Sequence, residues 1–157
     1  MTSPAPGGSP GRLRASDWRV GIWREFLRAH AAVMRDLEHE LAEFGLPLTW
    51  YDVLVQLVEA PGHRLRMAEL ADRVLLSRSG LTRLIDRLQA EGYVRREASP
   101  DDARGMYTVL TRAGFDVLRK GAPVHLAGIR EHWISHFDDD ELRTLGALLG
   151  RIAPTQQ

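Results

Sequence analysis

Between Leu75 and Arg96 the chain reads LLSRSGLTRLIDRLQAEGYVRR, a stretch in which arginine, serine and threonine are spaced to share one side of a helix. With Arg78 at zero and an advance of about 100° per residue, Leu81, Leu84, Ile85 and Leu88 fall between about 240° and 340° and form an apolar face. Thr82, Asp86, Ser79, Arg83 and Arg87 fall between about 40° and 180°, so the opposite face is polar and mostly basic. Ser77 is suited to cap the start, where free amides and the helix dipole favour a nearby phosphate. Guanidinium groups pair bidentately with guanine edges, and hydroxyls contact bases or phosphates. The chemistry on offer is therefore recognition of a nucleic-acid duplex.

Other chemistries find little support. No Gly-rich phosphate loop, nucleophile motif or catalytic carboxylate pair is present, so no enzyme activity is expected. Asp138-Asp139-Asp140-Glu141 reads better as an acidic helix start than as a cluster of catalytic acids. The absence of cysteine excludes disulfides, thiol redox sensing and thiolate metal sites. No apolar run is long enough to cross a bilayer and the first residues lack a signal core, so the expected location is cytoplasmic, away from membranes. Net charge is zero, but it is unevenly distributed. From Pro61 to Arg112 there are 10 arginines against 7 acids, while the remainder has 11 basic and 14 acidic residues. A basic middle between acidic flanks is the asymmetry expected if only the middle meets phosphate.

The basic helix needs elements to hold it. Residues 1–14 are rich in Pro, Gly and Ser and are expected to be a disordered tail. Ser16 then caps a long helix with Trp18, Ile22, Phe26, Val33, Leu37, Leu41 and Phe44 in one stripe, ended by Gly45 and Pro47. At about 40 Å it exceeds what a small domain needs, so it is expected to pack outside its own chain. Thr49-x-x-Asp52 marks a second helix with Val53, Leu54, Leu57 and Val58 inward. Ala60 to His63 is a turn, and MAELADRV a short third helix. After the basic helix, Tyr93–Glu97 and Met106–Leu110 predict two strands joined by a polar loop carrying Arg104, positioned to enter a minor groove. Thr111 caps a helix running from Phe115 towards Phe137 with a kink at Pro123. Asp138-x-x-Glu141 starts a last helix bearing Leu142, Leu145, Leu149 and Ile152. A short helix, a tight turn, the basic helix and a hairpin make a winged helix-turn-helix.

On the strength of Leu70-Ala71, LLSRSGLTRLIDRLQAEGYVRR, SPDDARG and VLTRAG, the chain from about Trp18 to Ile152 resembles the multiple antibiotic resistance regulator (MarR) family of bacterial transcription factors. The resemblance implies a mostly α fold with a small β-hairpin wing and long N- and C-terminal dimerisation helices. Its segments would be 1–14 as tail, 15–45 as a dimerisation helix, 46–112 as the DNA-binding domain and 113–153 as C-terminal dimerisation helices. It implies a homodimer that reads a pseudo-palindromic double-stranded operator, a repressor relieved by a small aromatic or anionic effector, with no cofactor. By motif position, Ser77, Arg78, Ser79, Thr82, Arg83 and Arg87 match the recognition helix, Arg104 matches the wing arginine and Asp102 the acid that steadies it. Two positions depart from the family pattern: Ala103 stands where many members have a second wing arginine, and Leu75-Leu76 lacks the usual glycine of the turn.

Trp18, Trp23, His30, Trp50 and Tyr51 are candidates to line an effector pocket, against their alternative role as packing residues. His132 and His136, four apart with His125 one face away, have a spacing that can hold zinc, but no further ligand accompanies them, so no metal is expected. The competing class is a winged-helix protein-interaction module whose basic face docks an acidic partner and binds DNA weakly, without sequence preference.

Overall fold

The computed structural model describes residues 13–74, 76–99 and 102–152, except for the side chains of Ser99 and residues 102–104. The tail expected over 1–14 therefore lies almost wholly outside the described residues. The first helix, α1, spans Trp18–Phe44. Its cap is Asp17 rather than Ser16: the Asp17 carboxylate accepts from the Arg19 amide at 2.9 Å and from the Arg19 guanidinium at 2.6 Å. A carboxylate that serves both groups at once outcompetes a serine hydroxyl one residue earlier. Gly45, at φ 88°, ends the helix. The Leu46 amide bonds back to the Leu41 carbonyl and the Gly45 amide to that of Ala42, a Schellman closure whose accompanying apolar contact joins two fully buried leucines.

Helix α2 spans Leu48–Glu59 and differs from expectation at its start. Thr49 and Asp52 do not cap it; Pro47 precedes the first turn, and Glu38 of α1 accepts from the Leu48 amide at 3.1 Å. The cap thus comes from a residue ten positions away, beyond the reach of a local motif. After a 3-10 turn at Pro61–His63 the chain forms strand β1, Arg64–Arg66, which sequence periodicity did not reveal. Helix α3 spans Met67–Arg73 and α4 spans Arg78–Ala90. Strands β2, Val94–Ser99, and β3, Asp102–Leu110, reach further towards the tip than expected. All pairing is antiparallel, in the order β1-β3-β2, with Leu65 opposite Thr108 and Val94 opposite Leu110.

Helix α5, Arg112–His132, is capped by the Thr111 hydroxyl and continues as one helix across Pro123. It stops before Trp133, so the helical register expected to reach Phe137 ends early; Ile134–His136 forms a 3-10 turn and Trp133 meets Phe137 edge-on at 5.2 Å. Helix α6, Asp139–Leu149, has the expected capping box: Asp138 accepts from the Asp140 and Glu141 amides, and Glu141 accepts from the Asp138 amide.

The core lies under α4. Leu81, Ile85 and Leu88 pack with Leu54 and Leu57 of α2, Leu70 of α3, and Leu65, Val94 and Leu110 of the sheet. Each such side chain contributes about 1.5–3 kcal/mol on full burial, which fixes which face of α4 points inward. The end of α1 joins this core through Leu37 and Leu41, and α5 through Leu118. Three buried glycines seven residues apart, Gly114, Gly121 and Gly128, bring α5 close to its neighbours. A Cβ at Gly114 would overlap the Tyr93 carbonyl oxygen, one at Gly121 would sit 3.0 Å from Leu46, and one at Gly128 would overlap the Glu40 carboxylate. The first half of α1 is different. Trp18, Ile22, Trp23, Phe26 and Leu27 are all exposed, Trp18 at 73% and Ile22 at 59%. Among the described residues, no helix is long and apolar enough to cross a membrane.

Candidate nucleic-acid interface

The outward face of α4 follows directly from its inward one. With Leu81, Leu84, Ile85 and Leu88 buried, Arg78, Ser79, Thr82, Arg83, Asp86 and Arg87 are exposed together. Ser77 caps the helix, its Oγ accepting from the Gly80 amide at 3.1 Å and lying 3.3 Å from the Ser79 hydroxyl. The Thr82 hydroxyl donates back to the Arg78 carbonyl at 2.9 Å, which fixes its rotamer and leaves its oxygen lone pairs outward.

Charge on this face is arranged by a residue that sequence reading missed. Arg96 of β2 reaches across to α4, donating to the Asp86 carboxylate at 2.6 Å and to the Gln89 side-chain carbonyl at 3.2 Å. Asp86 is the acid of the basic face, so this ion pair neutralises it. Arg78, Arg83 and Arg87 have no hydrogen-bonding or ionic partner among the described residues, and their charge stays available. The signal for Arg96 was present as the second arginine after Gly92, but its partner depends on how β2 packs on α4.

On the wing, Arg95 pairs with Glu97. The Tyr107 ring lies beneath two guanidinium groups, Arg64 at 4.9 Å and Arg66 at 5.5 Å from its centroid, and Arg66 Nε donates to the Tyr107 hydroxyl at 3.4 Å. Because Arg66 is paired with Tyr107 in the β1–β3 register, this group exists only through the unforeseen strand. Asp102 and Arg104 are in β3, but their side chains lie outside the described ones, as does Leu75 of the turn.

The five aromatic candidates for a pocket are dispersed. Trp18 and Trp23 are exposed on the first half of α1, with Trp23 stacked on Phe26 at 5.7 Å. His30 lines an apolar cavity of about 270 Å³ with Phe26, Val33, Met34, Trp133 and Leu149. Trp50 meets Tyr93 edge-on at 6.2 Å. Tyr51 is buried 4.4 Å from the His125 ring, whose Nδ1 is enclosed without a partner. Burial pushes the Tyr51 hydroxyl pKa up and the His125 pKa down.

The histidines do not share a site either. His132 Nε2 lies 2.7 Å from Glu40 Oε1 of α1, and that hydrogen bond raises its pKa above the usual value. His136 is exposed in the 3-10 turn beyond α5, not one helical turn along the same helix. Among the described residues, no three His, Asp or Glu side chains converge as a metal site would need.

Comparison with known proteins places this geometry. Residues 44–105 match the family model described as MarR family. The chain is 30% identical over 128 residues to the uncharacterized HTH-type transcriptional regulator YkoM of Bacillus subtilis, covering 80% of this chain and 82% of the relative. It is also 30% identical over 120 residues to the HTH-type transcriptional repressor YetL of the same organism, covering 74% and 72%. Among solved structures it is similar to AbsC, a MarR family transcriptional regulator from Streptomyces coelicolor, at 36% identity and a TM-score of 0.83, covering 91% of this chain and 96% of that one. It is similar to Sco3205 of that organism, a MarR family regulator solved in complex with DNA, at 34% identity and a TM-score of 0.82, covering 94% and 91%.

Proposed function

We infer that this chain, which belongs to the MarR family of transcriptional regulators, is a repressor that acts as a homodimer on a pseudo-palindromic double-stranded operator. The observation that carries the reading is the exposed face of α4: three arginines without partners among the described residues, beside an acid already neutralised by Arg96. Laid in a major groove, Arg83 and Arg87 reach base edges, Arg78, Ser79 and Thr82 hold phosphates or bases, and Ser77 keeps the helix start ordered. Arg104, steadied by Asp102, enters the adjacent minor groove. The relatives are transcriptional regulators, one of them solved on DNA, which supports binding rather than catalysis and a cytoplasmic place of action.

Dimerisation is supported by apolar surface that this chain leaves uncovered. Trp18, Ile22, Trp23 and Phe26 on α1 and Leu148 on α6 are exposed, with Ile152 just beyond it at 82%. A second copy would bury them, which supports the proposal that 15–45 and 113–153 dimerise while 46–112 binds DNA. Two α4 helices about 34 Å apart would read half-sites one helical turn apart. A small aromatic or anionic effector that binds near the α1–α2–α5 junction relieves repression.

Selection of bound duplexes from a randomised pool, at stated salt, tests this reading. An enriched inverted repeat with half-sites about one turn apart is the expected result. Weak, salt-sensitive binding with no enriched motif overturns it and leaves an interaction module docking an acidic protein.

A further inference from the structure

Helix α5 ends at His132, and the chain passes through Trp133 and the 3-10 turn at Ile134–His136 before α6 begins. At this corner α5 is joined to α1 by a contact between residues far apart in sequence, His132 Nε2 with Glu40 Oε1 at 2.7 Å. The side chains are 26% and 33% exposed, so water and salt screen the pair only in part. The place of Glu40 depends on Gly128, one turn before His132 on α5. A Cβ there would overlap the Glu40 carboxylate and press on Leu37, a core residue of α1. The glycine thus lets one carboxylate oxygen lie against α5 while the other takes the imidazole. Two further features favour a protonated ring: it ends a helix, where the dipole attracts a cation, and Asp36 of α1 and Glu131 of α5 add negative charge. Around these groups, Arg35 pairs with Asp36 at 3.6 Å, His39 with Glu43 at 3.5 Å, and Arg130 borders a groove with Glu40, Glu43 and Glu131. Among the described residues, the charges that act on His132 are all carboxylates of α1 and α5; the 3-10 turn and α6 contribute none. The enclosed His125, further back on α5, has the opposite preference, because burial favours its neutral form.

We propose that His132 and Glu40 form a proton-operated latch: the protonated pair holds the α5–α6 corner against α1 in the arrangement that a second copy binds, and loss of the proton releases it. The inference rests on the dimer reading above, since α1 and α6 carry the apolar surface for which a second copy was proposed. Histidine is the side chain whose charge changes near neutral pH. Deprotonation replaces a charge-assisted hydrogen bond by a neutral one about half as strong. A dimer that selects the latched arrangement binds the His132 proton more tightly than the free subunit does, and by linkage the proton strengthens the dimer by the same factor. The sign follows: the dimer is tightest below the ordinary histidine pKa of about 6.5 and weakens as pH rises through the higher folded value.

The test is sedimentation of the full chain over a range of concentrations, from about pH 5.5 to about pH 8.5 at fixed ionic strength. It compares wild type with Glu40→Gln and His132→Gln, and with two controls that remove exposed histidines, His39→Gln and His136→Gln. The wild-type dimer dissociation constant should rise about fivefold or more across this range. Glu40→Gln and His132→Gln should flatten that rise, and the two controls should keep it. A second measurement needs neither latch variant. Ring-proton NMR should give His132 a higher pKa in the wild-type dimer than in Ile22→Glu, which places a charge on the exposed stripe of α1 to keep subunits apart. If Glu40→Gln keeps the wild-type pH dependence, or if His132 has the same pKa in dimer and monomer, the latch is overturned and the pair only supports the subunit fold. A wild-type dimer with one dissociation constant at every pH overturns the latch alone, whereas a chain that stays monomeric throughout overturns the dimer reading and the latch with it.

Discussion

Replacing Arg96 by alanine removes no side chain from the DNA-facing surface of α4, yet it should weaken DNA binding. Arg96 holds the Asp86 carboxylate at 2.6 Å and is mostly covered, with its side chain 25% exposed against 55% for Asp86. Without it, a carboxylate on the arginine-bearing face regains its full charge close to the incoming phosphates. At about 8 Å and an effective dielectric of about 20 to 80, its repulsion of one phosphate is about 0.5–2 kcal/mol. Screening over a Debye length of about 8 Å keeps the net near the lower half of that range. Affinity should fall about fivefold, the factor that about 1 kcal/mol represents. The loss of fold stability should be smaller, about 0.2–1 kcal/mol, because the acid of the pair is more than half exposed to solvent. The assay is fluorescence anisotropy on the selected operator for wild type, Arg96→Ala, Asp86→Asn and the double variant. In the cycle, Asp86→Asn should recover most of what Arg96→Ala loses, because the damaging group is the uncovered carboxylate. If the double variant binds as weakly as Arg96→Ala alone, neutralisation of Asp86 is not what Arg96 does.

Further outcomes follow from the packing. Gly114→Ala forces a methyl into the Tyr93 carbonyl and should cost about 1–3 kcal/mol, read as a fall in Tm of about 2–12 °C. Folding of His132 raises its pKa through the hydrogen bond to Glu40. Its contribution to stability should therefore be fully present below about pH 6.5 and fade as pH rises through the folded pKa. Denaturation across pH 5–9 should show wild type losing its advantage over Glu40→Gln as pH rises; a constant advantage would contradict the pairing. Ile22→Glu, placed on the exposed stripe of α1, should shift sedimentation from dimer to monomer at micromolar concentration while the winged domain stays folded by circular dichroism.

Much of the architecture was legible because its signals are local. Ser77, Thr111 and Asp138 announce helix starts through bonds to amides two or three residues away, and the inward leucines of α4 repeat with the helical period. What escaped depends on partners distant in sequence. Strand β1 is three residues long with one inward side chain, Leu65, and is a strand only because the edge of β3 is beside it. The start of α2 depends on Glu38, and the electrostatics of α4 depend on Arg96 of β2. The aromatic residues of α1 and α2 look alike in sequence, but the packing of the helices leaves Trp18 exposed and Tyr51 buried. Periodicity says that an aromatic has a neighbour, not which one.

Base reading by the outward face of α4 is the property on which the proposed function turns. Its most direct test is binding by wild type and Arg83→Ala to every single-base variant of the selected operator at one fixed salt concentration. The expected result is that Arg83→Ala loses about 1–3 kcal/mol of discrimination at one base pair in each half-site and keeps the rest of the pattern. An equal loss on all variants, with the wild-type preference intact at every position, would show Arg83 to be a phosphate contact and would contradict base reading by this face.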